Sequence, residues 1–220
     1  MKNLNQQILN FHYEQNFRDQ DFYVSNSNNH SFSLLNSWPK WDKNFINLIG
    51  EKFSGKSHLI NIFLEKYKGI KINAEDVNND FLQTIKIYEN IVVEDLTENV
   101  NENLLFTLIN IIDQDNKFLI VTSKVPIVDL KFKLNDLNSR SSNFILSQIE
   151  KPGDDLMYAL ILKNLSDRQI SMDKKLIDFI IKRIDRTYSK ISDFIYKIDE
   201  ISLKRKKPID FKIIKEALED

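Results

Sequence analysis

Eight residues constrain this chain more than any others. Gly50-Glu51-Lys52-Phe53-Ser54-Gly55-Lys56-Ser57 fits G-x-x-x-x-G-K-[ST] at every position. The chain holds only 4 Gly in 220 residues, and two of them stand where the pattern requires glycine. The flanks agree with the pattern. FINLI at 45–49 reads as a short apolar strand, and a helical pattern starts at Lys56, with Leu59, Ile60, Ile62, Phe63 and Leu64 on its buried side. A strand–loop–helix of this kind wraps a phosphate in backbone N–H groups at a helix N-terminus, where the partial positive charge favours an anion. Gly55 lets the backbone approach without a Cβ. Lys56 is placed to reach the β- and γ-phosphates, and the Ser57 hydroxyl to bind Mg²⁺.

More strand candidates follow. GIKIN at 69–73 alternates, while IVVE at 91–94, FLIVT at 118–122 and FILSQI at 144–149 are apolar runs. Helical patterns cover Asp76 to Ile85 and Leu104 to Ile112. Apolar strands alternating with helices predict an α/β fold, a parallel sheet covered on both faces. The character changes at Lys151-Pro152-Gly153. Beyond it, Asp154–Leu165, Asp173–Ile184, Ser189–Leu203 and Asp210–Leu218 carry apolar residues at helical spacing. The expected organisation is a polar arm over 1–20, an α/β core over 21–150 and an all-helical domain over 151–220.

Composition excludes several chemistries. With no Cys there is no disulfide framework, thiolate zinc site or cysteine nucleophile. Three scattered His argue against a histidine metal site. Lys+Arg 31 against Asp+Glu 32 leaves a net charge of −1, which rules out a surface that is basic throughout. No run approaches the roughly 18 apolar residues of a membrane span. No export signal is visible at the start, so no membrane partner is expected and the cytoplasm is the expected compartment.

A phosphate loop calls for a second strand that ends in carboxylates. IVVEDL at 91–96 ends in Glu94 and Asp95. Glu94 takes the metal-side position, holding Mg²⁺ through its water shell. Asp95 is then placed to polarise an attacking water. The competing reading is a solvated acidic pair at a strand end.

At this point the chain resembles the AAA+ family, in its DnaA-related branch and the short Hda/HdaA-like regulators of replication initiation. The carrying segments are DFYVSNSN at 21–28, SWP at 37–39, LIGEKFSGKSHL at 48–59, VVEDL at 92–96, LLFTLIN at 104–110, FLIVTSKVP at 118–126, DLNSR at 136–140 and DRQI at 167–170. The resemblance implies a five-stranded parallel sheet with flanking helices and a C-terminal helical lid, with ADP or ATP between core and lid. Residues 50 to 57 and His58 would then hold the phosphates, with Phe22 to Val24 near the adenine. Phe22 as plain core packing is the alternative. Thr122 and Ser123 fall at the sensor position that ends the fourth strand. Arg140 falls at the arginine-finger position, which in AAA+ assemblies enters a neighbouring subunit's nucleotide site. The lid arginine of the family is replaced by Ser189, with Arg186 and Lys190 nearby. That departure implies weak or no intrinsic ATPase. The chain stops at Asp220, so the resemblance implies no origin-binding domain and only indirect contact with DNA.

Gln6-Gln7-Ile8-Leu9-Asn10-Phe11 fits Gln-x-x-Leu-x-Phe and resembles peptides that dock on the sliding clamp of DNA polymerase III, its beta subunit. Leu9 and Phe11 would fill an apolar cleft while Gln6 makes polar contacts. An arm packed on its own core is the alternative. Lys204-Arg205-Lys206-Lys207 caps a helix end or touches DNA phosphate. The expected function is a clamp-tethered regulator that uses Arg140 to promote hydrolysis of DnaA-bound ATP. The partners are DnaA and the clamp, and a homo-oligomer is left open. The rival readings are a self-contained ATPase working through Lys56, Ser57, Glu94 and Asp95, and a non-catalytic adaptor.

Overall fold

The computed structural model describes residues 22–219. The motif Gln6, Leu9 and Phe11 therefore lies outside the described residues. The elements run α1 (Asn29–Asn36), β1 (Phe45–Ile49), α2 (Lys56–Tyr67), β2 (Ile70–Asn73), α3 (Asn79–Thr84), β3 (Asn90–Leu96), α4 (Glu102–Gln114), β4 (Phe118–Ser123), α5 (Asn135–Ser141) and β5 (Ile145–Gln148). Four helices follow: α6 (Asp154–Asp167), α7 (Lys174–Ile181), α8 (Tyr188–Arg205) and α9 (Phe211–Glu219).

The five strands form one parallel sheet in the order β2-β3-β4-β1-β5. Strand position explains strand composition. β1 is buried at every residue, while edge strands β2 and β5 alternate between covered and exposed side chains. The period of two sorts the core. Ile46, Leu48, Val92 and Ile120 face α1 and α2, where Leu35, Leu59, Ile60 and Phe63 meet them. Ile91, Val93, Leu119 and Val121 face the other way, onto Leu105, Leu108, Ile109 and Ile112 of α4. A third cluster, built on Met157, Ile161, Ile180, Ile195 and Ile214, joins α6 to α9. Leu156 and Tyr188 leave that helical group and bury in the α2-side core.

Two helices escape the periodicity reading. α1 (NHSFSLLN) buries only Ser31 and Leu35, and α5 (NDLNSRS) only Leu137 and Ser141, so neither carries an apolar stripe. The helix expected over Asp76 to Ile85 is broken. Tight turns at Ala74–Asp76 and Ile85–Ile87 flank α3, whose start is fixed by Asn78 accepting from the Phe81 N–H at 2.9 Å.

A buried asparagine ties the carboxyl ends of the central strands. Asn47 Nδ2 donates to Val121 O at 3.1 Å and Ser123 Oγ at 2.8 Å, while its Oδ1 accepts from the Ile127 N–H at 2.7 Å. Asn47→Ala leaves these buried groups unpaired and is expected to destabilise the fold by about 1–3 kcal/mol, read from denaturant midpoints at unchanged slope.

A candidate nucleotide site

The loop between β1 and α2 is shaped by its own residues. Gly50 donates its N–H to Ser123 O at 3.1 Å, which fastens the loop to the end of β4. A Cβ on Gly50 would come within 2.5 Å of Ser54 Oγ, so any larger residue would force the serine hydroxyl to turn away. Gly55 caps α2 at φ 93°, a left-handed conformation suited to glycine. Phe53 also takes positive φ, 66°, with its ring half exposed. A bulky residue held there marks backbone that its surroundings over-determine, a common trait of ligand-binding loops.

Lys56 is buried and turns back into the loop. Its Nζ donates to Gly50 O at 2.9 Å and Glu51 O at 3.0 Å. Burial pulls its pKa below the usual lysine value, and the negative charges of Asp95 and Glu94 push back. Ser54 Oγ is buried with no partner. Ser57 stands exposed in the first turn of α2.

The carboxylates arrive from β3, with β4 between them and β1. The β3–β4 register shifts between Val93 and Leu96, so the chain bulges at Glu94 and Asp95. Asp95 takes φ 55°, and its N–H donates to Thr122 Oγ1 at 2.9 Å. Glu94 is 7% exposed. Its Oε2 lies 3.3 Å from Lys71 Nζ, while its Oε1 is buried without a partner. The ends of β3, β4 and β1 thus present Glu94 and Asp95, Thr122, and the glycine loop side by side. This is the crevice at which open parallel sheets take ligands.

A cavity of about 580 Å³ opens beside the loop. Phe53, Ser54, Gly55 and His58 form its floor, and Phe22, Tyr23 and Asn28 one wall. Leu156, Leu160 and Lys163 of α6, with Tyr188 of α8, form the other. This volume suits a nucleotide-sized ligand. Phe22 stacks on Phe32 at 5.9 Å and meets the His58 ring edge-on at 5.2 Å.

The residues fit phosphate and a cation that arrives with it. The unpartnered Ser54 hydroxyl, the Lys56 ammonium and the start of α2 suit a phosphate, and the orphaned Glu94 oxygen suits a hydrated Mg²⁺. Among the described residues no group of three or more His, Asp and Glu side chains could hold a metal alone, so Mg²⁺ would depend on the phosphates.

Of the residues singled out from sequence, Phe22, Phe53, Ser54, Gly55 and His58 line the cavity, and Lys56, Glu94, Asp95 and Thr122 are linked beside it. Val24 is exposed and does not line it; Tyr23 and Asn28 do. The Ser123 hydroxyl is engaged by Asn47 and donates to Val125 O at 2.6 Å, within the turn after β4. Glu51 and Lys52 sit on the loop, with Lys52 Nζ 5.1 Å over the Phe53 ring. Arg140 is outside the cavity lining. It ends α5 and pairs with Asp113 in the last turn of α4 at 2.7 Å. Arg186, beside the expected lid position, is drawn to Asp154 at 2.7 Å.

Sequence reasoning missed Tyr188. Its hydroxyl donates to Glu150 O at 2.9 Å, and its ring spans the junction of core and C-terminal helices. Burial, with Glu51 and Glu150 nearby, raises its pKa far above the ordinary tyrosine value. The folded phenol keeps its proton where the unfolded one loses it. Its stabilising contribution is therefore complete below about pH 10 and is lost as pH rises beyond. Denaturant midpoints between about pH 8 and 11 should fall more gently for Tyr188→Phe than for the parent chain.

Comparison with known proteins follows the same lines. No protein-family profile matches the chain. The chromosomal replication initiator protein DnaA of Campylobacter jejuni is 24% identical over 231 residues, covering 93% of this chain and 52% of that protein. The chain spans between a third and about half the length of the curated relatives it matches. Domain III of the Thermotoga maritima replication initiation protein DnaA superposes with TM-score 0.75 at 16% identity, covering 94% of this chain and 97% of that one. AMPPCP-bound DnaA from Aquifex aeolicus superposes with TM-score 0.66 at 20% identity, covering 84% of this chain and 64% of that one.

Proposed function

We propose that this chain, a DnaA-related AAA+ protein by fold and by sequence likeness, is an adenine-nucleotide-binding regulator of replication initiation. The carrying observation is the cavity of about 580 Å³ walled by the glycine loop on one side and by α6 and Tyr188 on the other. The AMPPCP-bound state of the Aquifex relative supports the choice of nucleotide. In this reading ADP or ATP lies with its base against Phe22 and Tyr23 and its phosphates over Ser54, Gly55 and Lys56. Residues 21–150 act as the nucleotide core, and 151–220 as a lid whose angle the nucleotide sets.

Lys56 then exchanges its two loop carbonyls for phosphate oxygens, which a buried ammonium engages strongly. Ser57 and Glu94 would hold Mg²⁺ together with the phosphates, and the ion would supply charge neutralisation there. Thr122 positions Asp95 through its backbone. Asp95 is the residue placed to orient a water. No arginine or lysine of α8 lines the cavity, where Tyr188 stands instead. α6 brings Lys163 to the same wall, and in this reading the chain holds nucleotide rather than turning it over rapidly.

Arg140 is assigned to a different site, the ATP held by a DnaA subunit. Its guanidinium stands near the end of α5, about one third exposed, and pairs with a half-exposed Asp113. Inserted beside a γ-phosphate it would stabilise developing charge, an effect of order 10³–10⁵ in related phosphoryl transfer. The arm motif Gln6, Leu9 and Phe11 would tether the chain to the polymerase sliding clamp.

Two measurements test the reading. Lys56→Ala should weaken ADP binding by about 10- to 100-fold in calorimetry, the loss of charged hydrogen bonds; undiminished affinity refutes the site. Arg140→Ala should keep ADP and clamp binding yet lose stimulation of ATP hydrolysis by DnaA by at least about 100-fold. Unchanged stimulation refutes the finger. Hydrolysis by the chain alone, abolished in Lys56→Ala, would favour a self-contained ATPase.

A further inference from the structure

The carboxylate at the end of β3 already has a cation beside it. Lys71 sits on edge strand β2, in register with Val92. Its Nζ reaches Glu94 Oε2 at 3.3 Å. A second bond, to Asn61 Oδ1 of α2 at 2.8 Å, holds the ammonium from the other side. The Glu94 side chain is 10% exposed and that of Lys71 41%. The pair is thus covered at its carboxylate end and open at its ammonium end.

A phosphate-loop site normally leaves this carboxylate free for the hydration shell of a divalent cation. Here a Mg²⁺ that used the unpartnered Oε1 of Glu94 would share the carboxylate with the ammonium on its Oε2. A carboxylate neutralised from the side also repels incoming phosphates less. Both effects lower the advantage that the metal gives to nucleotide binding.

We propose that Lys71 is the resident counter-ion of Glu94 and makes nucleotide binding at this site nearly independent of divalent cation. The proposal rests on the nucleotide site described above. Without Lys71, Glu94 becomes a buried carboxylate short of compensation, which is costly and which a divalent cation would relieve.

Calorimetric titration of the full chain with ADP, in excess Mg²⁺ and in EDTA, tests this. The parent chain should show affinities within about threefold of each other in the two conditions. Lys71→Met and Lys71→Gln should open a gap of about tenfold or more, mainly by weakening metal-free binding. Lys71→Arg, which keeps the charge, should behave as the parent. Adding Glu94→Gln to Lys71→Met should close the gap again, since the two act through each other. A gap of tenfold or more in the parent, or the parent's small gap retained in both neutral variants, overturns the counter-ion role while leaving the nucleotide site intact. No ADP binding in either condition by the folded parent chain overturns the nucleotide site and this inference with it.

Discussion

Two hydrogen bonds made to β4 hold the candidate site together. The Gly50 N–H reaches Ser123 O at 3.1 Å, and the Asp95 N–H reaches Thr122 Oγ1 at 2.9 Å. The first fastens the glycine loop to its neighbour strand, and the second fastens the bulge that carries the carboxylates. β4 lies between β1 and β3, so one strand end sets the spacing of both halves. Parallel pairing makes this arrangement available, because it gathers the carboxyl ends of all three strands at one edge. Asn47 then locks β1 to β4 and to the turn at Ile127. The site is therefore tied along the sheet by hydrogen bonds, and its other wall is supplied by α6 and α8.

Much of this was legible in the residues alone, for identifiable reasons. Four of the strands are short apolar runs and β2 alternates, and the helices from Lys56, Leu104, Asp154, Asp173, Ser189 and Asp210 carry stripes at helical spacing. α1 and α5 were not legible because each buries two side chains, one a serine, and so lacks a stripe. The break around α3 depends on the Asn78 cap, which competes locally with a longer helix. The phosphate loop was readable because its chemistry needs a fixed spacing. The outer wall was not, because Tyr188, Leu160 and Lys163 meet the loop across more than a hundred residues. Lys71 was hidden for the same reason, as one lysine among many until β2 sets it beside Glu94.

The charges of the site show a pattern that neither half reveals alone. Glu51, Glu94 and Asp95 lie on or beside a glycine loop suited to an anion; Lys56 answers them from inside the fold and Lys71 from the exposed edge of the sheet. Lys56 is held by two loop carbonyls, and its burial lowers its pKa against the pull of Asp95 and Glu94. Lys71 is bonded to Asn61 and Glu94 at the edge of the sheet. One ammonium thus lies inside the loop and the other beside the carboxylate of β3.

Arg140 differs from both lysines in a way that bears on its proposed role. Its pair with Asp113 is short, at 2.7 Å, but the side chains are 35% and 50% exposed. Exposed pairs of this kind contribute about 0–1 kcal/mol, because water screens them and two long side chains must be ordered. Exchanging Asp113 for a phosphate in a partner's site would therefore cost little and gain a stronger, less solvated contact. The pair does have an effect. It gives the guanidinium one favoured orientation near the end of α5, and a partly pre-oriented arginine loses less freedom on docking than a free one. Leu137, fully buried one turn earlier on α5, anchors that orientation to the sheet. On the proposed reading, α5 supplies the finger's base through one buried leucine and its tip through one solvent-exposed ion pair.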